Sequence, residues 1–327
     1  MRAIGIERFG DAPALLDLPV PEPGPGEVQV AVEAASVNPL DTAIAAGALA
    51  AVGEYRFPLT LGMDGAGTVT AIGEGVSEFA VGERVFGQFW SLPLRHGTFA
   101  EVSVVQAAPA LGALRTVPDG LPGEVAAALP TAGMTALGAI DHLRVPPGGT
   151  LLVIGATGGV GTFAVQAAAA RGIRVVATGS ARLAGQVRAL GADEVAVRGA
   201  GPLDQALRRI APEGVDAILD VVGDRVLTSS VAGSVRDGGA LFSTAFGVDE
   251  LLLADPRIRT ANYRLDRKPE RLAELTGLVT DGVLRPVIGA YVSLPEAPRT
   301  LFGGTGVAGR GGTEGAGLRG KTVLRMR

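Results

Sequence analysis

A seven-residue run, Gly155-Ala156-Thr157-Gly158-Gly159-Val160-Gly161, constrains the fold of this chain more than any other feature. It follows a short aliphatic run, Leu151-Leu152-Val153-Ile154, and opens an alanine-rich stretch that favours helix. Glycines let the backbone turn tightly after a strand, bring amides up to a pyrophosphate and let the helix pack close to the sheet. The helix N-terminus then offers unpaired N–H groups and a positive dipole end to an anion. The run therefore reads as a dinucleotide site formed by Gly155, Thr157, Gly158, Gly159, Val160 and Gly161. No charge occurs from Val145 to Ala170, enough to imitate a membrane span. Glycines interrupt its middle, however, and its halves differ in character, so a buried strand, turn and helix is expected and no membrane association.

From Thr150 to Ala245 the pattern continues. Aliphatic runs at 173–177, 194–197, 215–222 and 239–244 alternate with segments such as 183–190 and 203–210, whose apolar residues recur at helical spacing. That alternation builds a parallel sheet covered by helices on both faces, joined by right-handed crossovers. Before residue 120 the pattern changes. Val28, Val30 and Val32 alternate with Gln29, Ala31 and Glu33, and short runs are punctuated by Gly73, Gly75, Gly82 and Gly87, as in a mostly β unit. Lys321-Thr322-Val323-Leu324 reads as a closing strand. The expectation is an α/β chain: a mostly β catalytic unit over 1–120, a doubly wound parallel-sheet unit over 121–262, and the remainder of the catalytic unit over 263–327. The glycine-rich stretch 303–320 has too little side chain to offset its ordering entropy and is expected to be a mobile loop.

Dinucleotide preference is written after the second aliphatic run. NAD sites usually place an acid about 20 residues beyond the glycine turn. Here the chain reads Thr178-Gly179-Ser180-Ala181-Arg182. A hydroxyl and a guanidinium suit a 2′-phosphate, so NADPH held by Ser180 and Arg182 is expected. The plainer reading is a helix-capping serine and a solvated arginine.

The absence of cysteine excludes disulfides, iron–sulfur clusters, thiolate zinc sites and a cysteine nucleophile. With His96 and His142 the only histidines, no metal site is expected. The net charge of −4 comes without a basic stripe, which argues against nucleic acid. The first residues lack an apolar core like that of a signal peptide, so a cytoplasmic location is expected.

Several motifs in order along the chain resemble the medium-chain dehydrogenases/reductases, specifically their zinc-independent quinone oxidoreductase, or zeta-crystallin-like, branch. They are Ser36-Val37-Asn38-Pro39-Leu40-Asp41, Gly62-Met63-Asp64-Gly65-Ala66-Gly67, Gly73-Glu74-Gly75-Val76, Gly82-Glu83-Arg84-Val85, the glycine turn itself, Leu190-Gly191-Ala192-Asp193 and Gly320-Lys321-Thr322-Val323-Leu324. The resemblance implies a GroES-like domain, a Rossmann domain and a cleft for nicotinamide between them. Zinc alcohol dehydrogenases of the superfamily have Gly-His-Glu where Gly62-Met63-Asp64 stands, and Met63 cannot be an imidazole ligand. The implied reaction is hydride transfer from NADPH to a quinone or other conjugated carbonyl. Alternatives are an enoyl or enone reductase, as in secondary-metabolite tailoring, and a crystallin-like NADPH-binding protein with little turnover. A homodimer formed through a Rossmann edge is also implied.

Carried over by motif, Asn38 would face the nicotinamide ribose or a substrate oxygen, with Asp41 orienting nearby. Thr131 would approach the cofactor, and Lys321 would reach its side. Many relatives carry a tyrosine soon after the Asn-Pro motif; this chain has Gly47-Ala48-Leu49 there, leaving Tyr55 as the stand-in. Relatives also have Lys and Tyr where Arg182 and Arg198 occur, so Arg198 would add a second cation near the 2′-phosphate. Phe89 and Trp90 would wall a flat acceptor, against the plainer reading of core packing.

Overall fold

The computed structural model describes residues 1–51, 53–109, 112–302 and 319–326. The glycine-rich expectation over 303–320 therefore falls almost wholly outside the described residues.

The Thr150–Ile154 strand is buried along its whole length, as a strand covered on both faces must be. It sits inside a six-stranded sheet ordered Glu194–Val197, Arg174–Gly179, Thr150–Ile154, Val215–Asp220, Val235–Ser243, Arg259–Asn262. Every pairing in this sheet is parallel. From the central strand the chain first winds outward through 174–179 and 194–197, then crosses to 215–220 and winds the other way. The crevice where that order reverses, at the carboxyl ends of the strands, is where open α/β sheets bind ligands. Helices Pro130–Leu143 and Gly159–Ala170 pack together over one face, sharing a core with Leu151, Val153, Phe163 and Leu137.

The other lobe is mostly β. Glu27–Ser36 alternates buried and half-buried residues over its first six positions, with Val28, Val30 and Val32 inward, the period of a strand with one face on a core. It anchors a seven-stranded sheet, pairing with Asp64–Ile72, Val102–Gln106 and Lys321–Arg325. A four-stranded sheet, Ala14–Asp17, Arg2–Ile6, Tyr55–Thr60, Leu94–His96, packs beside it. The closing strand Lys321–Arg325 thus returns from the far end of the chain to lie between Ile288–Ser293 and Glu27–Ser36. At its start, Gly320 pairs with Gly158 of the glycine turn. No helix among the described residues is long and apolar enough to cross a membrane.

Candidate active site

The glycine turn is shaped by what its residues lack. Gly155 has φ +94°, the left-handed region that glycine enters without strain, and a Cβ there would lie 2.7 Å from Val222 Cγ2. A Cβ on Gly161 would overlap Gly155 O, whereas one on Gly158 would meet nothing closer than 3.6 Å. The turn is tight on its protein side and open on the other. Helix Gly159–Ala170 starts from Gly158 with no side-chain cap. Its first-turn amides have no partner within the helix and face the open side, as a pyrophosphate requires. Thr157 O is taken by Gly320 N at 3.0 Å, which fixes the turn from behind.

The ends of the next two parallel strands lie along the same edge. Gly179 pairs with Val197, and Arg198 N donates to Gly179 O at 2.8 Å, so Ser180 and Arg198 leave neighbouring strands together. Ser180 precedes the short helical turn Ala181–Leu183 but makes no side-chain capping bond. Arg182 and Arg198 are exposed, and neither forms an ion pair among the described residues. A hydroxyl and two unpaired guanidiniums therefore border the dinucleotide edge.

Next along the chain from Gly320, Lys321 enters a buried polar cluster drawn from separate segments. Ser36, Asn38, Asp41, Asp64, Gln88 and Lys321 are each at most 4% exposed. Asn38 ends the Glu27–Ser36 strand region and enters helix Pro39–Ala45; its N–H donates to Asp41 Oδ2 at 2.7 Å. Its Nδ2 donates to Asp64 Oδ2 (3.0 Å) and Ser36 O (3.3 Å), and its Oδ1 accepts from Lys321 Nζ (2.6 Å). Lys321 Nζ also donates to Val37 O and lies 4.0 Å from Asp64 Oδ2. Thr131, at the start of helix Pro130–Leu143, donates to Asp64 through both N–H (3.1 Å) and Oγ1 (2.7 Å), and accepts from Gln88 Nε2 (2.6 Å).

Two carboxylates share one ammonium here, and their surroundings separate them. Asp64 is met by amide, hydroxyl and side-chain N–H donors together with Lys321, a set that suits an anion. Burial raises its pKa, while Lys321 and these hydrogen bonds oppose the rise. Asp41 Oδ1 has no partner. Burial pushes its carboxyl up to about 7, the Asn38 N–H pulling it down and the Asp64 charge pushing it further up. Burial also lowers the Lys321 ammonium, against the pull of Asp64 and Asp41. The better-solvated charge of the pair is therefore that of Asp64, and Asp41 is the carboxyl that holds its proton further up the pH scale.

Comparison with known proteins fits both halves. Residues 24–115 match the family model of the alcohol dehydrogenase GroES-like domain, and residues 159–288 that of the zinc-binding dehydrogenase. The quinone oxidoreductase of Rattus norvegicus is 31% identical over 315 residues, spanning 91% of this chain and 92% of that protein. The chain belongs to the quinone oxidoreductase-like medium-chain dehydrogenases/reductases. A mitochondrial NAD(P)H oxidoreductase of Mus musculus, RTN4IP1, is 31% identical over 92% of this chain and 82% of its own length. A mycobacterial protein solved in complex with NADPH superposes with a TM-score of 0.80 at 26% identity, covering 99% of each chain. This medium-chain dehydrogenase/reductase is accordingly an oxidoreductase with a nicotinamide dinucleotide site.

Within this family member, several expected site residues take other places. Phe89 is not a cleft wall: it packs into the β-lobe core with Val30, Val69, Val85 and Leu114. Neighbouring residues of an extended chain point to opposite sides, and Trp90 goes the other way, into the cluster that holds Met63, Leu94 and Phe99. The Lys321 ammonium turns into the polar cluster rather than towards the dinucleotide, and only its stem approaches the turn, beside Gly159. The Asn38 amide is likewise committed on both its oxygen and its nitrogen, so Asn38 enters as an organiser of the cluster. Tyr55 donates its hydroxyl to Leu49 O at 3.0 Å and meets Phe9 edge to face, and no hydrogen bond joins it to the cluster. Asp64, whose glycine frame reads as equally structural or catalytic, joins the cluster, and Gln88 and Arg267 are site residues that the sequence reading does not include. The glycine frame around Asp64 and the polar end of Val85-Phe86-Gly87-Gln88 were visible signals; Arg267, which lies over the Trp90 ring, had none.

Proposed function

We propose that this oxidoreductase uses NADPH to reduce a quinone or other conjugated carbonyl, without protein-bound zinc. The observation that carries the reading is the shared edge of the parallel sheet. It presents the uncapped glycine turn beside Ser180, Arg182 and Arg198, with no acid after the second strand. In this reading the first-turn amides of Gly159, Val160 and Gly161 take the pyrophosphate, and the hydroxyl and guanidiniums take the 2′-phosphate. A similar solved protein carries NADPH, and a similar curated one is a quinone oxidoreductase.

The donor set supports chemistry without zinc. The chain has no cysteine, and the segment matching the zinc-binding dehydrogenase model contains neither His nor Cys. Met63 is packed among apolar side chains. His142 Nδ1 lies 2.8 Å from Gly138 O of its own helix, and His96 sits on the separate Leu94–His96 strand. Polarisation of the acceptor then falls to hydrogen-bond donors, which suffices when conjugation already spreads the charge.

The bound dinucleotide supplies a hydride, two electrons and one proton together, to the acceptor. The protein's residues do the rest. Thr131 and Asn38, tied to Asp64, hold the floor beside the crevice, and Lys321 neutralises that carboxylate. The outer strand Arg259–Asn262 has a partner on one side only, and we propose that a second copy pairs there to form a homodimer.

The test is to follow oxidation of NADPH and of NADH against quinones, enones, saturated ketones and alcohols, before and after dialysis with a zinc chelator. The expected result is turnover of the conjugated acceptors, preference for NADPH and indifference to the chelator. Equal efficiency with both dinucleotides would defeat the 2′-phosphate assignment, and chelator-sensitive oxidation of alcohols would defeat the acceptor assignment.

A further inference from the structure

Arg267 is a cation with a platform and no counterion. It leaves the last strand of the parallel sheet, in the segment before helix Pro269–Thr280. Its guanidinium lies over the indole of Trp90, 4.5 Å from the ring centroid, a face that favours cations. Its Nε is buried and unpartnered. Acids are available nearby but are used by others: Asp266 pairs with Lys268 at 2.9 Å, and Asp141 and Glu274 pair with Arg271. Arg267 rests instead on the Trp90 indole of the β lobe.

The indole belongs to the same wall as the polar cluster. Trp90 lies two residues beyond Gln88, whose Nε2 holds Thr131 and whose Oε1 is buried without a partner. Burial lowers the Arg267 pKa, and the charge of Asp64 works against that lowering, which places the guanidinium within electrostatic reach of the cluster. Asp64 itself is taken up by Thr131, Asn38 and Lys321. A half-buried, always-charged fork with an unpartnered Nε, held on an indole within reach of the cluster, calls for an oxygen that is or becomes negative.

We propose that Arg267 donates hydrogen bonds to the carbonyl oxygen of the acceptor and stabilises the oxyanion formed on reduction. This rests on the reading of the chain as a reductase of conjugated carbonyls. Hydride addition forms a C–H bond at the conjugated carbon, and the π pair moves towards the carbonyl, leaving one negative charge on oxygen as an enolate or quinolate. Both electrons come from the reduced nicotinamide, and one proton from water completes the product. Arginine does not give up its own proton, so its part is charge stabilisation, with the indole holding the guanidinium plane.

The test uses Arg267→Met, Arg267→Lys and the wild-type chain. Removal of one oxyanion donor is expected to lower kcat by about 10²–10³-fold for neutral quinones and enones alike, with NADPH affinity unchanged and partial rescue by added guanidinium. A second readout needs no turnover. Trp90 is the only tryptophan of the chain, so its fluorescence reports ligands at the guanidinium. In the NADP⁺ complex, substituted phenols of falling pKa should bind the wild type more tightly as they become phenolates, and Arg267→Met should lose that dependence. Arg267→Lys covers the case in which the methionine variant fails to fold. Unchanged kcat in a folded variant, or phenolate binding independent of Arg267, overturns the proposal. So does a rise in KM confined to acceptors bearing a carboxylate, which would make Arg267 a substrate-anchoring group instead. If the wild type reduces no acceptor, the reductase reading falls, and the phenolate titration still decides what Arg267 binds.

Discussion

The glycine turn and the acid–lysine cluster are joined through Gly320-Lys321 and are built on opposite rules. The turn uses backbone amides of consecutive residues, and its shape depends on Cβ atoms that are absent at Gly155 and Gly161. The cluster uses side chains of Ser36, Asn38, Asp41, Asp64, Gln88, Thr131 and Lys321, drawn from separate segments and held by one another's hydrogen bonds and charges. Changes in the turn should therefore act on ligand affinity with little effect on the fold. Changes in the cluster cannot separate function from stability, because removing one partner leaves a buried charge alone.

The largest effect should come from Lys321→Met, which strips the ammonium from Asp64 and Asn38. Unfolding in urea should show a loss of about 3–5 kcal/mol, with part regained when Asp64→Asn is added, the coupling expected of contacting charges. Next, Ser180→Ala with Arg182→Ala should lower the NADPH-to-NADH ratio of kcat/KM while leaving unfolding unchanged. Loss of hydrogen bonds to a charged group costs about 1.5–3 kcal/mol, or about ten- to a hundredfold in that ratio. A destabilised double variant would break the contrast drawn above. Gly158→Ala, whose Cβ would meet nothing closer than 3.6 Å, should leave unfolding unchanged and weaken dinucleotide binding in a calorimetric titration.

The smallest effect is a dependence on pH. An unfolded aspartate titrates near about 3.9, whereas folding raises Asp41 to about 7. The folded chain keeps a proton that the unfolded chain has released, so stability present below the lower value is lost as pH rises through the higher one. Asp41→Asn, which keeps an acceptor for Asn38 N–H, should match the wild-type Tm at about pH 4 and exceed it by a few degrees at about pH 8. Parallel Tm curves across that range would show that Asp41 does not carry the proton.

What was legible in the sequence follows the same division. The strand, turn and helix around Gly155 are local, as are the helix Leu203–Ile210 and the parallel strands, because periodicity and turn chemistry act over a few residues. The strand that closes the β lobe was readable from Lys321-Thr322-Val323-Leu324, but not that its lysine would end between Asn38 and Asp64. Phe89 and Trp90 carried equal weight as aromatics. Both are buried, and only the side of the extended chain on which each falls sends them into different core clusters, which depends on packing set by distant partners. Arg267 belongs to the extreme case, since its platform lies far away along the chain and no motif links the two.

The closing strand has a mechanical consequence. Through Gly320 it is stitched to the glycine turn, and one residue later Lys321 is locked into the floor of the opposite lobe. The two lobes are therefore joined there as well as where Thr131 meets Asp64 and Gln88, and any widening of the crevice must strain one of those joints.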